Sequence, residues 1–159
     1  MGKLETTPPH HPTPTPLPWH GHITILTVSP PYRRLGYAKL LTSSLERSCN
    51  QSSAWFVDLY VRASNTLAID MYRSLGYSVY RRVVMYYSDD APNGGADDDH
   101  VGKEDEHGDG AREGEEAGRG GGGAGEDAFD MRKPLHRDKD RKHVRENGEE
   151  FRVSPEDVY

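Results

Sequence analysis

Hydrophobic and polar positions divide the chain into unlike stretches. Between Trp19 and Tyr87 apolar residues come in short patterned groups. Within that region His22 to Val28 (HITILTV) alternates side chains and is dense in β-branched residues, the pattern of a half-buried strand, and Pro30 and Pro31 end it. From Arg33 a loop leads into a helical pattern in which Ala38, Leu41 and Leu45 recur at helical spacing, predicting a helix to about Cys49. After the polar turn 50–53, Trp55 to Val61 (WFVDLYV) reads as a buried strand. Ser64 and Asn65 are capping residues. Beyond them Leu67 or Ala68, Met71, Tyr72 and Leu75 share one face of a second helix that Gly76 stops. Tyr77 to Tyr80 and Val83 to Tyr87 then read as two short strands, a hairpin turning at Arg81 and Arg82. The order strand, helix, strand, helix, strand, strand predicts a mixed α/β layer whose first two strands are parallel, joined by a helical crossover.

Outside this region the pattern lapses. Thr6 to Pro18 alternates Pro with Thr and His, which disfavours helix and cannot donate regularly to a sheet. The formal charge of -6 is the sum of unequal parts: residues 1–88 carry 9 Lys/Arg against 4 Asp/Glu, residues 89–127 carry 3 against 14 and hold 12 of the 17 glycines, and residues 128–159 carry 8 of each sign. These features predict a Pro/Thr-rich disordered leader over 1–18, a partial domain over 19–88, an acidic Gly-rich disordered linker over 89–127 and a charged docking tail over 128–159. In the tail DAFDMRKPLHR regains some apolar residues, but Pro134 and the charge after it argue against a second core. A lone cysteine, Cys49, excludes an internal disulfide, and no apolar run reaches signal-peptide or membrane-spanning length, so a soluble cytoplasmic protein without a membrane role is expected. The 8 histidines and one cysteine lack zinc spacing, so no metal is expected. The basic balance of 1–88 and the Arg pairs at 33/34 and 81/82 admit a nucleic-acid reading, which no recognition motif supports.

The unit with chemical content is VSPPYRRLGYAKLL, residues 28–41, where a strand passes through a loop carrying Arg33, Arg34 and Gly36 into a helix. A helix N-terminus offers unpaired N–H groups and the positive end of its dipole, which favour a phosphate, and a glycine there lets the backbone come close. Taken alone, the same residues equally suit a solvated turn.

R-R-x-G-x-A after an alternating strand, followed by N-x-x-A-x-x-M-Y-x-x-L-G-Y over residues 65–77, resembles the acetyl-CoA signature and fourth-helix motif of the GNAT superfamily. WHGHITILTVSPPYRRLGYAKLL, FVDLYVRASNTLAIDMYRSLGYSVYRRVVMYYS and DAFDMRKPL are similar, more narrowly, to the catalytic subunits of NatB N-terminal acetyltransferase complexes. The resemblance implies an α/β fold, the C-terminal part of a GNAT (acyl-CoA N-acyltransferase) fold with a mixed sheet and two helices. It implies transfer of acetyl from acetyl-CoA to the α-amine of nascent chains beginning Met-Asp, Met-Glu, Met-Asn or Met-Gln, with ribosome association and a NatB auxiliary subunit as partner. For the cofactor it implies pantetheine pairing with backbone around Leu26 to Val28 and pyrophosphate on the amides of Arg33, Arg34, Leu35, Gly36, Tyr37 and Ala38. Asn65 would reach the cofactor from the helix start, or simply cap the helix. Tyr72 would protonate or hydrogen-bond the leaving thiolate, or continue the apolar face. His22 would face the peptide, hold its second residue and take part in catalysis, or serve only the structure of its strand, and Tyr86 and Tyr87 would close over the peptide N-terminus, or pack a strand edge. Because a free α-amine has a pKa of about 7.7–8.0, roughly a tenth is neutral at physiological pH and the base need not be strong.

The sequence departs from these relatives in three places. They carry further strands and helices before the WHGH segment, where a Pro/Thr leader stands here; Met85 replaces a usual acidic residue; and the acidic insert replaces a short linker. The first departure predicts an exposed sheet edge and an uncovered face. It also supports an alternative reading, a catalytically inactive truncated isoform that acts only as a cofactor- or partner-binding module.

Overall fold

A computed structural model describes residues 1–6, 18–87 and 125–158. Its elements are β1 (Gly2–Glu5), β2 (His20–Ile23), α1 (Tyr37–Gln51), β3 (Phe56–Arg62), α2 (Thr66–Ser74), β4 (Ser78–Tyr87), β5 (Glu126–Pro134) and β6 (Arg152–Val153), with single 3-10 turns at Pro30–Tyr32, Gly148–Glu150 and Pro155–Asp157. The strands form one mixed sheet in the order β1-β2-β3-β5-β4-β6. β2 and β3 are parallel across the α1 crossover, as the alternation of elements requires.

The core follows from the two-residue period of β3. Val57, Leu59 and Val61 face α1 and α2 and pack with Cys49, Ile69, Tyr72 and Met131, whereas Phe56, Asp58 and Tyr60 project from the opposite face. On α1 the buried stripe is Thr42 and Cys49 with Leu45 partly covered. Leu41, expected in that stripe, is half exposed beside a cavity of about 140 Å³ lined by Met1, Ile23, Leu26 and Thr42. α2 buries Ile69 and Tyr72, with Ala68, Met71 and Leu75 partly covered and Leu67 exposed. Glu46 of α1 accepts from Tyr77 Oη at 3.1 Å and Lys133 Nζ at 2.7 Å, tying the helix layer to β4's approach and to β5.

The structure corrects the sequence reading in four places. Gly2–Glu5, expected as leader, pairs antiparallel with β2. Residues 7–17 of the leader and 89–124 of the acidic linker, with Ser88 before them, lie outside the described residues. The strand expected over His22 to Val28 is His20–Ile23, because the N–H groups of Thr24 and Ile25 turn to the carbonyl of Met1 at 3.1 Å each. The expected hairpin at Arg81 and Arg82 is one continuous strand, β4. A one-residue register shift between Val79 and Arg81 makes Tyr80 the extra residue of a bulge and turns both Tyr80 and Arg81 toward Arg132 and Asp130.

The largest correction concerns the tail. Glu126–Pro134 is the strand that fills the middle of the sheet, antiparallel to both β3 and β4. The remaining segment, 135–158, crosses the face that α1 and α2 leave open. Val158 is buried against Val83 and Ala128, and Arg145 lies over the rings of Tyr80 and Phe151. At Gly148 an added Cβ would fall 2.0 Å from the Val79 carbonyl oxygen, so only glycine lets the segment lie this close to β4. The face expected to be uncovered is thus partly roofed by the chain's own C-terminal segment.

Candidate active site

The β2–β3 ladder stops at Ile23–Leu59 while β3 runs on to Arg62. Leu26 and Val28, expected to lie in a strand, run outside that ladder and are half-buried. The two parallel strands therefore diverge where a group could enter between them.

Past Val28 the chain makes the Pro30–Tyr32 turn. The Arg33 Nε–H then donates to the Val28 carbonyl at 2.9 Å, which folds the loop back on its own entry. Arg34 (φ 64°) and Gly36 (φ 84°) both take left-handed backbone, and α1 starts at Tyr37. A Cβ added at Gly36 would meet nothing within 4 Å, so in the protein itself the glycine is required by its φ and not by crowding. Gly36 as N-cap supplies no side-chain acceptor, and the first turn holds no acidic residue, so the opening amides and the dipole face outward. Arg33, Arg34, Leu35, Gly36 and Tyr37 are exposed and Ala38 is half-buried. Among these residues Arg33 spends its Nε–H on the loop, while both it and Arg34 keep exposed guanidiniums.

Asn65 caps α2: its Oδ1 accepts from the Ala68 N–H at 3.1 Å, which leaves the amide's own N–H groups as donors. Tyr72 is buried on α2, its ring edge-to-face with Tyr77 at 5.5 Å, and burial pushes its phenol up to about 12.

The other predicted residues gather on the opposite face of the sheet. His22 lies beside Tyr60 (5.9 Å between ring centres), Tyr60 stacks on Tyr86 at 4.9 Å, and Tyr86 meets Tyr87 edge-on at 5.0 Å. The row ends in Arg62, 4.1 Å over the Tyr87 ring, whose guanidinium also bonds Glu126 at 3.1 Å. Met85, in left-handed backbone just before the tyrosine pair, donates its N–H to Asp127 at 2.9 Å. The structure thus brings His22, Tyr86 and Tyr87 into one line and sets Tyr72 on the other side of the sheet.

His22 holds the site's main electrostatic feature. Its Nδ1 is 2.8 Å from Asp58 Oδ1. Burial alone would lower the imidazole pKa, but the hydrogen bond and charge of Asp58, with the charge of Glu5, outweigh burial and a nearby Lys3 and hold it above its ordinary value. Asp58 and Tyr60 escaped the sequence reading. The available signal was an acidic residue inside the otherwise apolar strand WFVDLYV, a residue type that is buried almost only when paired. Among the described residues no group of three or more His, Cys, Asp or Glu could hold a metal ion, and no helix is long and apolar enough to cross a membrane.

Residues 4–77, which span the diverging strands, the loop and both helices, match the acetyltransferase (GNAT) family. The crystal structure of Chaetomium thermophilum Naa20 in complex with a bisubstrate analogue superposes with a TM-score of 0.74 at 43% identity, covering 100% of this chain and 70% of that one. The chain belongs to the GNAT acetyltransferase family. Within this family, several of the relatives it matches are catalytic subunits of NatB-type N-terminal acetyltransferases. A structure of the NatB acetyltransferase complex bound to a bisubstrate inhibitor matches at 34% identity and a TM-score of 0.62, covering 100% of this chain and 68% of that one. The Schizosaccharomyces pombe NatB catalytic subunit naa20 is 47% identical over 140 residues, and the Arabidopsis thaliana subunit NAA20 is 42% identical over 127. These alignments take in 88% and 79% of this chain, but 61% and 53% of those relatives. The likeness to the Naa20 structure extends past residue 77 through β5 and the C-terminal segment, the part misread as a docking tail.

Proposed function

We propose that the chain transfers the acetyl group of acetyl-CoA to the α-amine of nascent polypeptides beginning Met-Asp, Met-Glu, Met-Asn or Met-Gln. It would act in the cytoplasm, near the ribosome, as a catalytic subunit paired with a NatB-type auxiliary subunit. The observation that carries this reading is the end of the β2–β3 ladder at Ile23–Leu59, one residue beyond His22 and on the path to a loop suited to an anion.

Acetyl-CoA, when bound, supplies a thioester carbonyl that the amine can attack. Leu26 and Val28 would offer backbone to the pantetheine, the amides of residues 33–38 and the Arg34 guanidinium would receive the pyrophosphate, and the Asn65 amide would donate from the start of α2. Aminolysis of a thioester then needs placement and a proton acceptor. Tyr72, with its phenol near 12, stays neutral at physiological pH and can donate a hydrogen bond to the departing sulfur. Full proton transfer from it to a thiolate of pKa about 8.5 would run uphill, so its role is stabilisation. Tyr86 and Tyr87, in line with His22 beyond Tyr60, would form the wall over the substrate's first residues.

The test is calorimetric titration of acetyl-CoA into the purified chain, alone and with a NatB-type auxiliary subunit, alongside transfer to a Met-Asp peptide and to a Ser-initiated control. Binding with transfer confined to the Met-Asp peptide supports the reading. Binding without transfer in either setting replaces it with that of a cofactor-binding module.

A further inference from the structure

The geometry points to Asp58 as a positioning residue that acts through His22: it keeps the ring's proton on Nδ1 and so presents Nε2 to the substrate amine. The inference rests on the reading above, in which the peptide N-terminus lies on the face carrying His22 and the tyrosine row.

The two residues are direct partners in the parallel register of β2 and β3, so their side chains leave the same face side by side. The Asp58 side chain is 3% exposed and its Oδ1 lies 2.8 Å from His22 Nδ1. A carboxylate can only accept, so Nδ1 must carry the hydrogen, and in a neutral imidazole the lone pair is then on Nε2. No described residue bonds that nitrogen. The His22 side chain retains 14% exposure, whereas His20, two residues earlier on the same face, retains 3%, donates Nδ1 to the Pro18 carbonyl at 2.7 Å and lies stacked on Phe56. Of the two histidines only His22 offers a ring nitrogen that a substrate could touch.

The groups around the ring favour this tautomer. Glu5 of β1 lies 3.9 Å from Nδ1, on the Asp58 side, and Lys3 of the same strand opposes it weakly. His20 approaches the second Asp58 oxygen at 3.7 Å. Tyr60 of β3, backed by Tyr86 of β4, flanks the ring, and the charge of Arg132 of β5 interacts with that of Asp58. In the transfer step the amine nitrogen forms the new C–N bond and yields a proton to Nε2, while the C–S bond breaks and its electron pair leaves with the thiolate. Asp58 stabilises the resulting imidazolium and takes no proton itself. The imidazolium then returns its proton to solvent or to the thiolate.

Two measurements test this. In Asp58→Asn the side chain keeps its size, but its amide can donate to Nδ1 and so permit the opposite tautomer. With the auxiliary subunit present, kcat for a Met-Asp peptide should fall about tenfold or more, with KM for acetyl-CoA little changed and the acid limb of the pH profile moved to lower pH. The His22 titration midpoint, followed by NMR, should fall in parallel, and Asp58→Glu should recover part of the rate. An unmoved pH profile and midpoint in Asp58→Asn would overturn the assignment. Nitrogen-15 shifts of the unmodified protein give an independent check that survives a variant failing to fold: Nδ1 found as the bare nitrogen of neutral His22 would also overturn it. If the unmodified chain transfers no acetyl group, the functional reading fails, and the tautomer and midpoint still decide whether Asp58 governs His22.

Discussion

Arg81 of β4 and Asp130 of β5 are bonded at 2.8 Å, with the carboxylate fully buried and the guanidinium nearly so. The same carboxylate takes Arg132 at 2.9 Å on its own strand, and Arg81 reaches on to the carbonyls of Asp157 and Val158 at 3.2 and 2.6 Å. Arg132 is held in addition between the rings of Tyr80 and Phe56. Removing the shared anion would leave two buried cations without their ion-pair partner, with only the carbonyls around Arg81 and the rings around Arg132 to offset their charge. Asp130→Ala should therefore destabilise the protein by about 3–5 kcal/mol in urea unfolding. A loss under 1 kcal/mol would mean that solvent reaches these guanidiniums.

The C-terminal segment should prove integral to the domain. Deleting 154–159 removes two acceptors from Arg81 and uncovers Val83 and Ala128, which Val158 now seals. An unpaired buried donor costs roughly 1–3 kcal/mol and a lost apolar side chain a similar amount. The expected result is a midpoint for thermal unfolding lower by ten degrees or more, on the order of what such losses imply. An unchanged midpoint would return the segment to the status of a tail.

This segment and β5 are also where the sequence was least legible. Strand β3 and both helices announced themselves because their buried positions are apolar at the right period. In β5 the residues turned to the open face are Asp130 and Arg132, so a central strand reads as charged, and its neighbours in space are β3 and β4, far away along the chain. Salt-bridged burial leaves no hydrophobic trace. The bulge at Tyr80 was hidden for a similar reason: Arg81, buried by its bond to Asp130, looked like half of a polar turn. In the candidate site the loop, Asn65, Tyr72, His22 and the tyrosine pair were readable through motif resemblance, whereas Asp58 belongs to no motif used and emerged only from strand register.

Gly36 sits at φ 84°, where a Cβ is disfavoured although the space in front of it is open. Gly36→Ala should cost about 1–2 kcal/mol in stability from that strain. Gly36→Glu adds a carboxylate where the pyrophosphate is expected, so it should weaken acetyl-CoA by more than Gly36→Ala does. Calorimetry on the two variants, each checked for folding, separates strain from charge; equal affinities would place the phosphates elsewhere.

Tyr72→Phe should retain the fold, since the ring packs on Tyr77 and the apolar core, while the transfer rate drops by about 10²–10³ if the hydroxyl stabilises the leaving sulfur. Because burial raises the phenol to about 12, the unfolded chain ionises first as pH rises past the ordinary value of 10. The stability that Tyr72 contributes is complete below pH 10 and is lost between there and about 12, so alkaline unfolding should begin at higher pH in Tyr72→Phe. Spectrophotometric titration of the phenols alongside circular dichroism reads both.

Asn65→Ala removes the acceptor that satisfies the Ala68 N–H at the start of a nine-residue helix, and should cost about 1 kcal/mol. Asn65→Asp restores the cap but loses the amide donor. Recovery of stability without recovery of acetyl-CoA affinity would divide the residue's two roles; recovery of both would leave it a cap only.

The placement of β5 between β3 and β4 also sets the order in which the molecule can assemble. When the chain has been made as far as Tyr87, β3 and β4 have both been synthesised but have no ladder with each other, and the slot between them is one strand wide. Its occupant begins only at Glu126, so its pairing joins residues far apart along the chain, and bringing them together is an entropic cost that must be met before the first contact is made. Doubling that connection would add only about 0.6 kcal/mol. Insertions there are therefore cheap at equilibrium, and their toll falls on the time during which two long strand edges wait open, the interval in which a chain of this topology is most exposed to pairing with a neighbour.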